Sequence, residues 1–246
     1  MARTPVPLDV ADTTRGFTLL LHSLYGAGKT HFAGTALLAE SAHGPVRYVN
    51  VAGEDGYNTI AGIGLGDVAE TIDTRADYDA LLADYRKRSL RLVVIDSLKH
   101  LIRIDMEAQI GPRPPRSGDN KSNEWGPIHF SAENLFNSTR GLAKYVIVTC
   151  PSDKYTNDIT GATSINPDLP GRQSRLVVGC FDFVAYLQTT PTGPGRMTRT
   201  LQLTHSAAVT TRQRWSHSVP DVVIPEGKGG WAAFMSALST PVAGRA

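Results

Sequence analysis

The hydrophobic pattern alternates between short apolar runs and amphipathic segments over about the first 150 residues. Four mainly apolar runs predict strands, at Phe17–Leu21, Val46–Val51, Leu92–Ile95 and Tyr145–Thr149. The segments between them place apolar residues at helical spacing and predict helices at Lys29–Ser41, Arg75–Lys87, Leu98–Gln109 and Pro127–Leu142. Strands that alternate with helices predict an α/β fold with a mostly parallel central sheet covered by helices.

The pattern changes in the last third of the chain. Two further strands are predicted at Phe181–Gln188 and Thr198–Thr204, joined by a Pro/Gly turn and therefore antiparallel. A short helix, Trp231–Leu238, is predicted to close the fold. Three polar or glycine-rich stretches are predicted to be irregular, at residues 57–74, 111–124 and 151–174.

The domain organisation predicted from this pattern is simple, because no sharp change of composition divides the chain. Residues 16–239 are predicted to form one domain. Residues 1–15 are predicted to be a flexible arm and residues 240–246 a tail.

Four residues with functional potential come at or just after predicted strand ends: Gly26, Glu54, Asp96 and Thr149. Ligands of open α/β sheets bind beyond the carboxyl ends of the strands. We therefore expect these residues to converge on one site.

The segment Ser23–Thr30 has the composition of a phosphate-binding loop between a strand and a helix. Its glycines, Gly26 and Gly28, let backbone N–H groups point at phosphate oxygens, and the helix N-terminus adds partial positive charge. Lys29 is expected to reach the β- and γ-phosphates of ATP, and the Thr30 hydroxyl to bind Mg²⁺.

The loop departs from the usual pattern G-x-x-x-x-G-K-[ST] at one position, where Ser23 replaces the first glycine. A chance Gly-Lys-Thr is the alternative, which the strand before it and the helix after it disfavour. Tyr25 either stacks on the nucleotide or faces solvent. The residues predicted to contact nucleotide are Ser23, Tyr25, Gly26, Ala27, Gly28, Lys29, Thr30 and His31.

Two acidic residues follow predicted strands. Asp96 is expected to hold Mg²⁺, usually through a water; the alternative is that Asp96 or Ser97 caps the next helix. Glu54 is expected to orient and polarise the water that attacks the γ-phosphate. Asp55 competes for that role, and an acid in a surface turn is the remaining alternative.

Composition excludes several classes of protein. The chain is 41% hydrophobic and 20% charged, as in soluble globular proteins, and no run approaches the ~18 apolar residues of a membrane span. Two cysteines do not make a disulfide scaffold, and the seven histidines show no metal-ligand spacing. The polar residues 1–15 lack the apolar region of a signal peptide, so a cytoplasmic location is expected.

Charge is unevenly distributed along the chain. Residues 171–220 contain six arginines and one acidic residue, Asp182. Arginine suits phosphate groups, either of nucleic acid or of a neighbouring subunit's nucleotide. A solvated face that balances the acidic first half is the equally weighted alternative.

The order of GAGKT at 26–30, Glu54 after the second strand and VVIDS at 93–97 resembles the RecA-like ATPases. More narrowly, the chain resembles the single-domain RecA-like ATPases of phages, which include single-strand annealing proteins. Looser marks of this resemblance are Trp125-Gly126 opening a helix, DLPG at 168–171, Phe181-Asp-Phe-Val184 and Thr211-Arg-Gln-Arg214.

The resemblance implies an oligomeric Mg-ATPase, a ring or filament, that acts on single-stranded DNA in phage recombination or strand annealing. The setting would be the cytoplasm of an infected bacterium, with a single-strand-binding protein as a further partner and no membrane. Glu54 and Lys29 would be catalytic, together with Arg212 and Arg214 supplied to a neighbouring subunit. The implied nucleic-acid contacts are Arg113, Arg116, Lys121, Trp125, Lys154, Arg172 and Arg175, with Trp125 or Tyr155 stacking on bases.

Cys150 and Pro151 occupy the place where the family usually has a polar sensor after the fourth strand. Together with Ser23, they predict slow turnover. Two other functions stay open: an ATP-driven motor or loader that acts on a protein partner, and a non-catalytic protein that uses nucleotide as an assembly switch.

Overall fold

The computed structural model describes residues 16–115, 124–158 and 160–240. The described helices are α1 (Lys29–Ser41), α2 (Gly56–Gly62), α3 (Arg75–Tyr85), α4 (Leu98–Ile110), α5 (Trp125–Ser138), α6 (Gln173–Cys180) and α7 (Gly230–Ser239). The described strands are β1 (Phe17–Ser23), β2 (Val46–Val51), β3 (Ala69–Ile72), β4 (Leu90–Asp96), β5 (Ala143–Thr156), β6 (Thr163–Pro167), β7 (Phe183–Gly193), β8 (Arg196–Gln202), β9 (Arg212–Gln213) and β10 (Val222–Ile224). The predicted arm and residues 241–246 of the predicted tail lie outside the described residues.

The strands form one sheet in the order β10-β8-β7-β1-β5-β4-β2-β3, with β6 paired to β5 and β9 to β7. The six strands from β7 to β3 are parallel to one another. Strand β8 is antiparallel to β7, and β10 is antiparallel to β8. The predicted fold class, a mostly parallel sheet with antiparallel strands toward the C-terminus, is confirmed.

Apolar side chains cover both faces of the sheet. All seven residues of β1 are buried, because successive side chains point to opposite faces and both faces are covered. Leu20 packs in a cluster with α3, α4 and α5, whereas Leu19 and Leu21 pack in a second cluster with α1 and α7.

Buried acids connect the helices to the sheet and to one another. Glu40 of α1 is buried and accepts hydrogen bonds from Arg91 Nε at 2.5 Å and Trp231 Nε1 at 2.8 Å. Asp105 of α4 is also buried and accepts a 2.9 Å bond from Ser131 of α5. Each buried carboxylate therefore has partners, as burial of charge requires.

The prediction that residues 57–74 are irregular is wrong. Most of α2, a 3₁₀ turn at Gly66–Val68 and β3 lie within this stretch. Strand β3 has only four residues, two of them exposed, and it is defined by parallel pairing with β2. A pattern this short carries no periodic signal, so the sheet and not the local sequence decides it.

The prediction of a loop at 151–174 is also wrong. Strand β5 continues past its predicted end at Thr149 to Thr156 and forms an antiparallel hairpin with β6, and α6 then begins at Gln173. Residues 153–156 are exposed, so this extension lacks the apolar pattern that marks the buried part of β5. The helix predicted at Pro127–Leu142 begins and ends earlier, at Trp125 and Ser138, with its proline in the first turn, where no N–H is needed.

None of the helices in the described part of the chain has the length and apolar character needed to cross a membrane.

Candidate functional site

The phosphate loop (Ser23–Thr30) links the end of β1 to the start of α1. Gly26 and Gly28 have φ values of 76° and 98°, in the region that side chains other than glycine rarely adopt. The first turn of α1 contains no acidic residue. The partial positive charge of the helix N-terminus is therefore not neutralised within the helix.

Ser23 holds the lysine of the loop. Lys29 Nζ donates to the Ser23 carbonyl at 3.3 Å and lies 3.2 Å from the Ser23 hydroxyl. Ser23 itself is fully buried, so it lies behind the loop. Burial lowers the pKa of Lys29, and the negative charge of Asp96 opposes that shift.

Tyr25, by contrast, is 74% exposed, and the centre of its ring lies 5.8 Å from the Lys29 ammonium. The ring therefore lies at the open side of the loop. This position fits both alternatives for Tyr25, stacking on a nucleotide and facing solvent.

Asp96, at the end of β4, accepts hydrogen bonds from three hydroxyl groups. Its Oδ2 accepts from Thr30 Oγ1 at 2.8 Å and from Tyr48 Oη at 2.7 Å, and its Oδ1 accepts from Thr149 Oγ1. Ser97 occupies the N-cap position of α4, but its side chain makes no capping hydrogen bond. The structure thus brings the predicted metal residues Thr30 and Asp96 together, and neither Asp96 nor Ser97 caps the helix.

Tyr48 and Gly56 belong to this site and were not predicted. Burial raises the pKa of the Tyr48 phenol, with Asp96 adding to the shift, so Tyr48 remains a hydrogen-bond donor. A Cβ atom on Gly56 would lie 1.9 Å from Tyr48 Oη and 2.6 Å from Asp96 Oδ2, so glycine is required there. In the sequence Tyr48 is one apolar position of β2 among others, and only the sheet brings it to Asp96.

Glu54 follows β2. Its carboxylate contacts two side chains at the start of α4, those of Ser97 and His100. Its Oε1 accepts from Ser97 Oγ at 2.5 Å and lies 3.0 Å from His100 Nδ1. Burial opposes ionisation, but the hydrogen bonds from His100 and Ser97 outweigh it and lower the pKa of Glu54. Asp55, the competing candidate, is exposed.

These residues surround a cavity of about 270 Å³, here called the loop cavity. Its lining contains Tyr25, Gly26, Gly28, Lys29, Thr30, His31, Glu54, Thr59, Asp96 and Pro151. The predicted convergence at the carboxyl ends of the strands is observed: Gly26, Glu54 and Asp96 line the cavity, and Thr149 contacts Asp96.

The donor set suits a magnesium ion bound together with phosphate. Within residues 16–115, 124–158 and 160–240, no cluster of three or more His, Cys, Asp or Glu side chains is arranged to hold a metal. Mg²⁺ commonly takes one or two protein oxygens, with waters and substrate phosphates completing its octahedron. Thr30 and Asp96, 2.8 Å apart and at the wall of the cavity, fit that requirement.

Residues from the C-terminal part of the chain contact the phosphate loop and the start of α1. Arg199 of β8 donates from Nε to the Ala27 carbonyl at 3.1 Å, and a Cβ on Gly28 would lie 3.2 Å from the same nitrogen. His31 Nε2 lies 3.0 Å from the Gly227 carbonyl oxygen. Arg199 was part of the arginine-rich segment in the sequence, but nothing local connected it to the phosphate loop.

Arg212 and Arg214 lie on and just after β9. Arg212 Nη1 donates to the Val178 carbonyl at 3.1 Å. Neither arginine lines the loop cavity of its own chain. Their predicted role concerns an adjacent subunit, so it stays a prediction.

The predicted nucleic-acid residues have different surroundings. Arg113 donates to both carboxylate oxygens of Glu124, at 2.8 and 2.6 Å. The Trp125 ring stacks on His129 with centroids 5.5 Å apart. Arg116 and Lys121 lie outside the described residues.

Three further candidates are exposed: Lys154 on the β5–β6 hairpin, and Arg172 and Arg175 at the start of α6. Tyr155 is 60% exposed beside Lys154. The hairpin is formed by the carboxyl end of β5 and by β6, and it begins directly after Pro151, which lines the loop cavity.

Comparison with known proteins gives a likeness of fold. No family model matches the chain, and no curated protein matches it. A solved structure of a KaiC-like protein from the hyperthermophilic archaeon Pyrococcus horikoshii OT3 is similar, with a TM-score of 0.51 and 17% sequence identity over 88% of each chain. The chain has a RecA-like α/β fold.

Proposed function

We propose that the chain binds Mg-ATP and hydrolyses it to ADP and phosphate. The observation that carries the proposal is the placement of Lys29, Thr30, Asp96 and Glu54 around one cavity at the carboxyl edge of a RecA-like sheet. A glycine loop, a lysine, a hydroxyl–carboxylate pair and a second carboxylate are the groups that phosphoryl transfer to water requires.

In the proposed reaction, a water oxygen forms a bond to the γ-phosphorus while the bond to the β,γ-bridging oxygen breaks. Glu54 accepts the proton of that water; its lowered pKa keeps it ionised at neutral pH. Lys29 and the N–H groups of the loop stabilise negative charge on the phosphates. Thr30 and Asp96 would hold Mg²⁺, which supplies charge neutralisation on the β- and γ-phosphates.

We expect slow turnover because the part of β5 beside the loop cavity, residues 149–151, offers little to the γ-phosphate. Pro151 lines the loop cavity but has no backbone N–H, and the Thr149 hydroxyl is bonded to Asp96. The Cys150 thiol is buried, and burial raises its pKa, so it stays neutral.

Phosphate release from Mg-ATP tests the proposal in three variants. Lys29→Ala and Asp96→Asn should each lose about 10²-fold or more in kcat, since each removes charge stabilisation of the transferred group. Lys87→Ala, at an exposed position after α3, should retain activity. Full activity in Lys29→Ala or Asp96→Asn would overturn the proposal.

The finer proposal is that the ATPase works as a ring or filament on single-stranded DNA. It is supported by exposed cationic and aromatic side chains on the β5–β6 hairpin and at the start of α6, namely Lys154, Tyr155, Arg172 and Arg175. Basic groups that track a phosphate backbone, with aromatic rings for stacking, suit single strands.

Phosphate release with and without an oligothymidylate, at several protein concentrations, tests this finer proposal. Stimulation by DNA that rises steeply with protein concentration is expected. If only a protein partner stimulates turnover, the motor or loader function is favoured. Tight ATP binding without phosphate release would instead favour the nucleotide switch.

A further inference from the structure

His100 lies in the first turn of α4, three residues after Ser97, and contacts the carboxylate of Glu54. Its Nδ1 is 3.0 Å from Glu54 Oε1 and 3.1 Å from Ser97 Oγ. The Ser97 hydroxyl donates to the same Oε1 at 2.5 Å. One oxygen of Glu54 therefore has two neighbouring donors, one from the N-cap residue of α4 and one from its first turn.

This arrangement fixes a torsion that is otherwise loosely held. The last side-chain torsion of glutamate is broad and roughly two-fold, so an unsupported carboxylate presents either oxygen over a wide range of angles. With Oε1 bound to Ser97 and His100, rotation about this torsion is restricted, and the orientation of the second carboxylate oxygen is restricted with it. Glu54 also lines the loop cavity, so its restrained carboxylate borders the space that the attacking water of the proposed reaction would occupy.

The imidazole ring is itself held in place by the turn that carries Glu54. Gly53 has a φ of 100°, and a Cβ there would lie 2.7 Å from His100 Cδ2 and 2.9 Å from its Nε2. The backbone of Gly53 therefore packs directly against the ring. Arg103, one turn further along α4, donates from Nη2 to the Ala52 carbonyl at 2.9 Å and holds the same turn.

The other side of the ring faces open space. His100 lines a second cavity of about 430 Å³, together with Lys99, Arg103, Met106, Asp168, Leu169 and Pro170. The ring is thus not part of the packed core, and a replacement side chain of similar size has room. Substitutions at position 100 are therefore expected to leave the fold intact, so that their effect on turnover reports the role of the side chain.

We propose that His100 is a positioning residue for the proposed hydrolysis: its Nδ1–H holds Oε1 of Glu54 so that the other carboxylate oxygen receives the proton of the attacking water. The inference rests on the proposed function, because it gives His100 no role apart from Glu54. His100 does not touch the phosphates or the water; it acts through the carboxylate.

Two amide side chains separate this role from simple packing. The Asn amide nitrogen occupies the place of Nδ1, and the Gln amide nitrogen occupies the place of Nε2. His100→Asn should therefore keep kcat within about three-fold, whereas His100→Gln and His100→Leu should lose roughly 10- to 100-fold, as small misplacements of a catalytic group do. The Kd for Mg-ATP should stay within about two-fold in all three, since no phosphate contact is lost.

The control is Lys99→Gln, the preceding residue of α4, which lines the same second cavity and does not contact Glu54. Its kcat should equal that of the unsubstituted protein. Thermal unfolding of every variant checks that the fold is retained. Equal activity of His100→Asn and His100→Gln, or a loss confined to ATP affinity, would overturn the proposal.

A double variant distinguishes failure of this inference from failure of the proposed function. If His100 acts through Glu54, His100→Gln should cause no further loss in a Glu54→Gln background. If Glu54→Gln is fully active, the proposed function itself is wrong. If Glu54→Gln is inactive while His100→Gln is fully active, only the role of His100 is wrong.

Discussion

At the scale of single residues, His22 lies on β1 directly before the phosphate loop and contacts two distant parts of the chain. Its ring is fully buried, with Nε2 2.7 Å from the Thr210 carbonyl oxygen and Nδ1 2.9 Å from Ser152 Oγ. A neutral ring satisfies both contacts, with Nε2–H as donor and Nδ1 as acceptor. Burial lowers the pKa of His22 to about 4, with Lys29 adding to the shift and the hydrogen bond to Thr210 opposing it.

This lowered pKa predicts a stability that depends on pH. Between the unfolded value of 6.5 and the folded value of about 4, the unfolded chain binds a proton that the folded chain does not. The contribution of His22 to the free energy of unfolding is therefore complete above pH 6.5. It falls by roughly 3 kcal/mol as the pH falls toward 4.

Urea unfolding at pH 7 and pH 4.5 measures this effect. The loss of unfolding free energy between the two pH values should be smaller in His22→Gln than in the unsubstituted protein. His43→Gln, which replaces an exposed histidine after α1, should leave the loss unchanged. An equal loss in His22→Gln would contradict the account of His22.

Arg199 provides the second prediction at this scale. Its hydrogen bond to the Ala27 carbonyl fixes the backbone of the phosphate loop from β8. Arg199→Ala should raise the Kd for Mg-ATP by roughly 10- to 150-fold, the range for loss of a charged hydrogen bond. Titration of Mg-ATP measures this, with Arg196→Ala on the exposed end of the same strand as the control. An unchanged Kd in Arg199→Ala would remove Arg199 from the site.

At the scale of elements, helices and strands with a clear local sequence pattern were predicted, whereas strands that depend on pairing with distant strands were not. The helix at Lys29–Ser41 was predicted with its observed ends, because a glycine loop begins it and helical spacing continues it. The strand at Leu92–Ile95 was predicted because its apolar run is continuous, and the observed strand is slightly longer, at Leu90–Asp96. Strand β3 and the β5–β6 hairpin were missed, because pairing with other strands defines them.

The same distinction applies to the candidate site. The loop residues, Glu54 and Asp96 were predictable because each has a local motif or a strand end beside it. Arg199 lies 172 residues from Ala27, and Tyr48 is 48 residues from Asp96. Contacts between such distant positions depend on the register of the sheet, which a single sequence does not specify.

The β5–β6 hairpin carries the prediction at this scale. If it contacts single-stranded DNA, the double variant Lys154→Ala/Tyr155→Ala should lose most DNA stimulation while basal phosphate release stays unchanged, because neither residue lines the loop cavity. Lys144→Ala, at the other end of the same strand, is the matched control. Undiminished DNA binding by the double variant would exclude the hairpin from the interface.

At the scale of the whole molecule, the strand order assembles the site. Strands β1, β5, β4 and β2 are consecutive in the sheet. The phosphate loop follows β1, Asp96 ends β4 and Glu54 follows β2, while Thr149 of β5 pairs with Leu21 near the end of β1. The parallel arrangement brings all four ends to one edge, so residues separated by more than a hundred positions meet there. The fold thereby explains why the candidate residues converge.

Assembly of several copies would complete the proposed site with Arg212 and Arg214. A Glu54→Gln variant and an Arg212→Ala/Arg214→Ala variant should each be nearly inactive alone. When they are mixed, about a quarter of the interfaces of a cyclic or filamentous assembly pair an intact Glu54 with intact arginines, so activity should partly return. Phosphate release from the mixture measures this; no recovery at any ratio would contradict a shared site.

Phosphate release from Mg-ATP by variants of two neighbouring acids tests the proposed hydrolysis most directly. Glu54 lines the loop cavity, whereas Asp55 is exposed and does not. Glu54→Gln should bind Mg-ATP but lose about 10²- to 10⁴-fold in kcat, and Asp55→Asn should turn over normally. Normal turnover by Glu54→Gln, or a loss confined to Asp55→Asn, would contradict the proposed role of Glu54 in hydrolysis.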